Sequence, residues 1–176
     1  LEPDTVVLLH ACCHNPTGAD LTEAQWKQVA ALLKERRLFP FIDMAYQGFD
    51  QGIAEDGVAV RVMAEAGIDS FIVANSYSKS FSLYGERVGA LSVVAADAGP
   101  TKAGQSPGRR VSRTICPSPA AHGAARVAGV LGSSELRALW EDELGQMRTR
   151  IQDLRSGLVN QLAALGAPEF NFIQQQ

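Results

Sequence analysis

Lys79 stands among three hydroxyls, Ser76, Ser78 and Ser80, just past the apolar run Phe71-Ile72-Val73-Ala74, and Arg87 follows eight residues later. A lysine amine forms a Schiff base with an aldehyde, while hydroxyls beside an arginine hold a phosphate. Together these residue types suit a phosphorylated aldehyde cofactor anchored at the end of a buried strand. Taken alone, a Ser/Lys loop is more often a solvated turn, because short motifs recur by chance. Three further residues alter that balance. Asp43 supplies a carboxylate for a pyridine nitrogen, and Tyr46 and Asn15 supply donors for a ring oxygen. Every part that pyridoxal phosphate chemistry asks of a protein is thus present: amine, carboxylate, ring-oxygen donors and a phosphate cradle.

The elements that must position these residues follow from periodicity. Thr5 to Ala11 is a near-continuous apolar run, as expected of a strand buried in a parallel sheet. The turn-rich His14-Asn15-Pro16-Thr17-Gly18 comes next, and Thr22-Glu23-Ala24-Gln25 has the spacing of a capping box that opens a helix to about Arg37. Phe39 to Ile42 predicts a second strand ending at Asp43, Val58 to Ala66 a helix stopped by Gly67, and 71–74 and 88–94 two more strands. Strands alternating with helices point to a doubly wound α/β sheet, in which ligands collect at the carboxyl ends of the strands. Asn15, Asp43 and Lys79 are all expected there. The Gly/Pro-rich stretch 96–113 predicts no regular helix, and a small-residue helix is expected from about Ala120 to Leu131. From Ser134 one long amphipathic helix runs to Gly166 and Pro168, with Leu136, Leu139, Trp140, Leu144, Met147, Ile151, Leu154, Leu158, Leu162 and Leu165 on one face. A rod near 45–50 Å would link two domains, at about 1.5 Å per residue.

Composition sets the outer bounds. The 176 residues are 46% hydrophobic and 20% charged with a net charge of -3, ordinary values for a globular chain with a sizeable core. The slightly acidic balance gives no reason to expect nucleic acid or a membrane surface as partner. Three cysteines, two of them adjacent, build no disulfide framework and fit a reducing, cytoplasmic setting. The His10, Cys12, Cys13, His14 cluster has no second pair of ligands at a suitable spacing, so no metal is expected. Both ends look cut: the chain starts at Leu1 directly ahead of a strand and stops in Phe170-Asn171-Phe172-Ile173, which reads as a strand beginning. An internal piece of a longer protein is expected.

His-Asn-Pro-Thr-Gly at 14–18, Asp43-x-x-Tyr46, and Ser76-x-Ser78-Lys79 with Arg87 resemble the class I aminotransferases, over nearly the whole chain. Cys-Cys-His-Asn-Pro-Thr-Gly-Ala-Asp-Leu-Thr and Phe-Ser-Leu-Tyr-Gly-Glu-Arg-Val-Gly draw the resemblance toward the aspartate and aromatic-amino-acid subgroup. The resemblance implies the aspartate aminotransferase fold, with 1–145 the C-terminal part of a large cofactor-binding domain. It makes 146–176 the end of a linking helix and the start of a small domain.

It also implies roles: Lys79 as Schiff-base lysine and proton shuttle, Asp43 on the pyridinium nitrogen with His10 behind it, and Tyr46 and Asn15 on the ring oxygen. Ser76, Ser78 and Arg87 would take the phosphate, the Asn15-Pro16 bond would be cis, and Asn15 would also face substrate. Arg113 matches an arginine that reaches a neighbouring subunit's site and binds a distal carboxylate, which implies a homodimer. Ser118 falls where aspartate-specific members have asparagine and some aromatic-accepting members have serine, a lean toward broad or aromatic substrates. The stretches 99–108 and Cys116 to Ala120 depart from the family pattern. The implied activity is pyridoxal-phosphate-dependent exchange of an amino group between an L-amino acid and a 2-oxo acid. The fragment alone is expected to be inactive. A lyase or decarboxylase on the same fold, or a non-catalytic truncated relative, are the alternatives.

Overall fold

The computed structural model describes residues 1–95, 110, 113, 114 and 120–167. Four strands form one sheet in sequence order: β1 (Val6–His10), β2 (Phe39–Met44), β3 (Ser70–Ser76) and β4 (Gly89–Ala95). The first three are parallel and β4 returns antiparallel to β3. Helices α1 (Glu23–Glu35) and α2 (Val58–Glu65) make the two crossovers. Both crossovers step the same way across the sheet, and a common hand puts both helices on one face. Their packing agrees: Trp26, Ala30 and Leu33 of α1 and Ala59, Val62 and Met63 of α2 share one core with Ile42, Met44, Phe71 and Val73. The opposite face carries Val6, Leu8, Leu91 and Val93, all exposed among the described residues.

Local signals produce these elements as expected. Thr22 and Gln25 form a reciprocal capping box that opens α1. Gly67, at φ +66°, takes the left-handed position that stops α2. The structure departs from the sequence reading at three ends. α1 stops at Glu35 rather than near Arg37. β3 runs on through Ser76 because the antiparallel return pairs Asn75 with Ala90 and Ser76 with Gly89. Asp43 lies inside β2, one residue before its end, and not beyond it.

Two helices follow, α3 (His122–Gly132) and α4 (Ser134–Ala164). The 31 residues of α4 give a rod of about 46 Å at 1.5 Å per residue. Its docking face differs from the apolar stripe read from sequence. Leu136, Leu139, Ile151, Leu154 and Leu158 are exposed, whereas Leu144 is fully buried. The contacts to the sheet's loops run through Trp140, Leu144, Arg148 and Gln152, spaced four residues apart. Two of those four are polar, and a stripe drawn on leucines misses them. The Gly/Pro-rich segment 96–109, Cys116 to Pro119 with Ser118, and the expected strand at 170–173 lie outside the described residues. Among the described residues no helix is long and apolar enough to cross a membrane.

Candidate active site

A cleft of about 390 Å³ opens at the carboxyl ends of the parallel strands. Asn15, Tyr46 and Lys79 line it together with Cys13, His14, Pro16, Phe49, Tyr84, Ile151 and Arg155. The Lys79 amine sits 4.9 Å from the centre of the Tyr46 ring and 5.8 Å from that of Tyr84, within cation–π range of both. Nδ2 of Asn15 donates to the Tyr46 hydroxyl at 3.5 Å, across 31 residues of chain. Three of the sequence-predicted residues therefore meet in one concave place.

Each is held by a loop with its own anchor. The turn bearing Asn15 is tied down by Asp20, whose carboxylate accepts from the backbone N–H of Cys13 and, at 2.8 Å, from that of His14. The Asn15 N–H donates to Nδ1 of His10 at 3.3 Å, and the Asn15-Pro16 bond is cis, as the resemblance implies. The loop after Tyr46 wraps around the buried carboxylate of Asp56, which accepts from the N–H groups of Gly48, Asp50, Gln51 and Gly52 at 2.6–3.2 Å. The turn bearing Lys79 is capped from outside. Trp140 Nε1 donates to the Ser80 carbonyl at 2.6 Å, and its ring stacks on Phe81 with centroids 4.4 Å apart.

Asp43 stands beside His10 in the β1–β2 register, facing the side opposite the core residues Ile42 and Met44. The pairing explains their proximity: register partners in neighbouring strands project to the same face. Arg87 returns next to the start of the Lys79 turn because β4 re-enters the sheet with Ser76 opposite Gly89 and with the Tyr77 N–H on the Val88 carbonyl. A Cβ on Gly89 would stand 2.5 Å from the Asn75 carbonyl oxygen, so only glycine permits that approach. Arg87 is exposed, at φ +51°, and donates to the Tyr84 carbonyl at 3.1 Å. Ser76 Oγ accepts from the Ser78 N–H at 3.3 Å, and Ser78 is buried. Hydroxyls and guanidinium thus border one turn, but Asp43, Ser76, Ser78 and Arg87 do not line the cleft itself. Arg113 is an exposed residue in helical backbone and is not among the lining residues.

Several contributors escaped the sequence reading. Tyr84 and Phe49 are aromatics one short turn from Lys79 and Tyr46, and their spacing alone was a usable signal. Arg155 lines the cleft from α4, and Arg148 and Gln152 of that helix could not be assigned, because the carbonyls they meet lie about a hundred residues away. Asp56, in the 3-10 turn just before α2, has partners four to eight residues off that no spacing rule names. Cys12 is buried; its contact with Cys13, then its burial, pushes its thiol far above the ordinary range, which suits packing and not a nucleophile. Among the described residues no group of three or more His, Cys, Asp or Glu side chains could hold a metal ion. A broader depression of about 850 Å³ along α4, lined by that helix alone among the described residues, has no such convergence of groups.

Comparison with known proteins gives a consistent picture. The family model described as aminotransferase class I and II matches residues 1–176. An aspartate aminotransferase of Pseudomonas aeruginosa is 55% identical over 100% of this chain and 44% of its own length. The aromatic-amino-acid aminotransferase of Escherichia coli is 51% identical over 98% of the chain and 43% of its own. Among solved structures, an aromatic-amino-acid aminotransferase from Burkholderia pseudomallei covalently bound to pyridoxal phosphate superposes with a TM-score of 0.94 at 53% identity, over 99% of this chain and 44% of that one. A mitochondrial aspartate aminotransferase from Trypanosoma brucei superposes with a TM-score of 0.94 at 39% identity, over 100% of this chain and 46% of that one. The chain spans under half the length of these relatives.

Proposed function

Because the chain belongs to the class I and II aminotransferase family, we propose that the full-length protein is a pyridoxal-phosphate-dependent aminotransferase. It exchanges an amino group between an L-amino acid (aspartate, glutamate or an aromatic one) and a 2-oxo acid. The observation that carries this reading is the convergence of the Lys79 amine, the Tyr46 hydroxyl and the Asn15 amide in one cleft. The donor set fits the cofactor: an amine for its aldehyde, two neutral donors side by side for its ring oxygen, and two hydroxyls and a guanidinium around one turn for its phosphate. When bound, the cofactor supplies an electron sink for the charge that develops when an α-proton leaves an amino acid.

The chain's own residues do the rest. Lys79 would hold the cofactor through its amine and, when that amine is free, would take and return the α-proton from its place above the Tyr46 ring. Asp43 holds the ring nitrogen protonated, with His10 beside it in the sheet. Tyr46 and Asn15 orient the ring through its oxygen, and Ser76, Ser78 and Arg87 hold the phosphate. Arg113 binds the distal carboxylate of a substrate in the neighbouring subunit, which makes the protein a homodimer. Residues 1–145 belong to the large domain, and 146–176 to the end of the linking helix and the start of the small domain. Residues 1–176 alone are inactive, and the full-length protein works in the cytoplasm. The curated relatives act on aspartate in some cases and aromatic amino acids in others, by their names, so both donors are proposed.

The test is the visible spectrum of the full-length protein loaded with pyridoxal phosphate, recorded before and after L-aspartate or L-phenylalanine. Bleaching of the visible band by either donor, and its return on adding a 2-oxo acid, is the expected result. A band that neither donor changes overturns transamination of these substrates.

A further inference from the structure

The backbone of the loop after Tyr46 is held from two sides at once. Its N–H groups at Gly48, Asp50, Gln51 and Gly52 all point to the Asp56 carboxylate, which is 3% exposed. Its carbonyls at Gly48 and Asp50 accept from Arg148 and Gln152 of α4, each at 2.8 Å. Gln47, next to Tyr46, bridges outward: its side chain accepts from Asn75 at 3.2 Å and donates to the Ile53 carbonyl at 2.8 Å. The peptide groups of a tight loop are therefore satisfied without a regular ladder, and one buried carboxylate supplies four of the acceptances. A single oxygen pair that gathers four donors is an over-determined clamp, because no rotamer of a neutral side chain offers as many acceptor sites. Asp56 is not among the residues that line the cleft.

We propose that Asp56 is a positioning residue for Tyr46: its carboxylate fixes the loop that sets the phenol beside Asn15 and under Lys79, and through Gln47 and Asn75 it ties that loop to the end of β3. The proposal rests on the assigned aminotransferase reading only where the cofactor serves as its reporter. Asp56 acts on the ligand through Tyr46 alone. An asparagine in its place keeps one acceptor and turns an N–H2 group toward N–H donors, so the loop loosens while the charge of the cleft's own lining residues stays as it was.

The experiment uses the full-length protein as wild type, Asp56→Asn, Tyr46→Phe and the double variant. In cofactor-free protein, amide hydrogen exchange over 47–53 should speed up by roughly tenfold or more in Asp56→Asn, with α1 unchanged. With pyridoxal phosphate bound, the pH midpoint of its visible band should move in the same direction in Asp56→Asn as in Tyr46→Phe, and in the double variant no further than in Tyr46→Phe. Unchanged exchange in the loop, or shifts that add in the double variant, overturn the proposal. A protein that takes up no cofactor sinks the activity assigned above, and the proposal then stands or falls on the exchange arm alone. If Asp56→Asn does not fold, Asp56→Glu, which keeps the charge but displaces it by one methylene, is read by the same criteria.

Discussion

Asn15 and Tyr46 meet at 3.5 Å between amide nitrogen and phenol oxygen, although different loops deliver them. That separation is at the outer limit of a hydrogen bond, so their mutual attraction does not hold them there. Asp20 holds one loop and Asp56 the other, and the two donors are set side by side for a third party. A ligand oxygen placed between them would receive both. Asn15→Ala and Tyr46→Phe should each weaken pyridoxal phosphate binding to the full-length protein about fivefold, near 1 kcal/mol per hydrogen bond. Because they serve one oxygen, the double variant should lose less than the product of the two. Equilibrium titration of the cofactor-free protein measures this, and strictly multiplicative losses would break the shared-oxygen reading.

Lys79 is the group whose loss should be most complete. In the assigned role its amine both anchors the cofactor and moves the α-proton, and among the described residues no other lysine lines the cleft. Lys79→Ala should leave no borohydride-stable adduct by mass spectrometry and should slow transamination by on the order of 10²–10⁴-fold or more. Lys79→Arg keeps the cation near the Tyr46 and Tyr84 rings but cannot form the covalent link, and it should behave the same way. A variant that retains an adduct would move the anchor to another lysine.

How much of this could be read beforehand depended on whether a general rule of spacing or topology names the partner. The capping box at Thr22, the stop at Gly67 and the run of α4 are local, and the sequence shows them because local bonds make them. Lys79, Tyr46 and Asn15 were legible as residues that follow strand ends, where a parallel sheet gathers them, whereas Asp43, read for the same place, does not line the cleft. The clamp at Asp56 and the grip of Trp140, Arg148 and Gln152 were not. Each partner is four to about a hundred residues away, and nothing in the spacing of an aspartate or an arginine announces which carbonyl or N–H it will meet. The leucine stripe of α4 misled for a related reason: hydrophobicity marks a face as fit for burial, but the loops it rests on offered carbonyls.

Gly48 leaves no room for a side chain between that helix and the loop. It sits at φ +96°, and a Cβ there would stand 2.4 Å from Cδ2 of the fully buried Leu144. Gly48→Ala combines backbone strain with a collision, so it should cost about 2 kcal/mol or more in the full-length protein. Adding Leu144→Ala removes the collision but not the strain, and it opens a cavity of its own. The pair should therefore show coupling, with the double variant less destabilised than the sum of the singles by at least about 0.5 kcal/mol. Urea denaturation of the four proteins decides it, and simple additivity would mean the two residues do not press on each other.

Asp50 supplies a pH dependence whose sign can be worked out. Burial first, then the charges of Asp56 and Asp20, raise its pKa to about 6, against the pull of Arg155 and Arg148. In the unfolded chain an aspartate titrates near 3.9. Between about pH 4 and 6 the folded state therefore holds more of a proton than the unfolded state, and stability falls as pH rises through that window. The favourable contribution is complete below about pH 4 and gone above about pH 6. Asp50 is only half-buried, so solvent screens much of the effect. Asp50→Asn removes the titrating group while sparing the backbone carbonyl that Gln152 holds and the N–H that Asp56 holds. At pH 7.5 the variant should melt higher than the wild-type full-length protein, by roughly 1–3 °C, and at pH 4 the two should coincide. A variant that melts lower at pH 7.5 would show that the Asp50 carboxylate is held by Arg155 and Arg148 more strongly than its acidic neighbours oppose it.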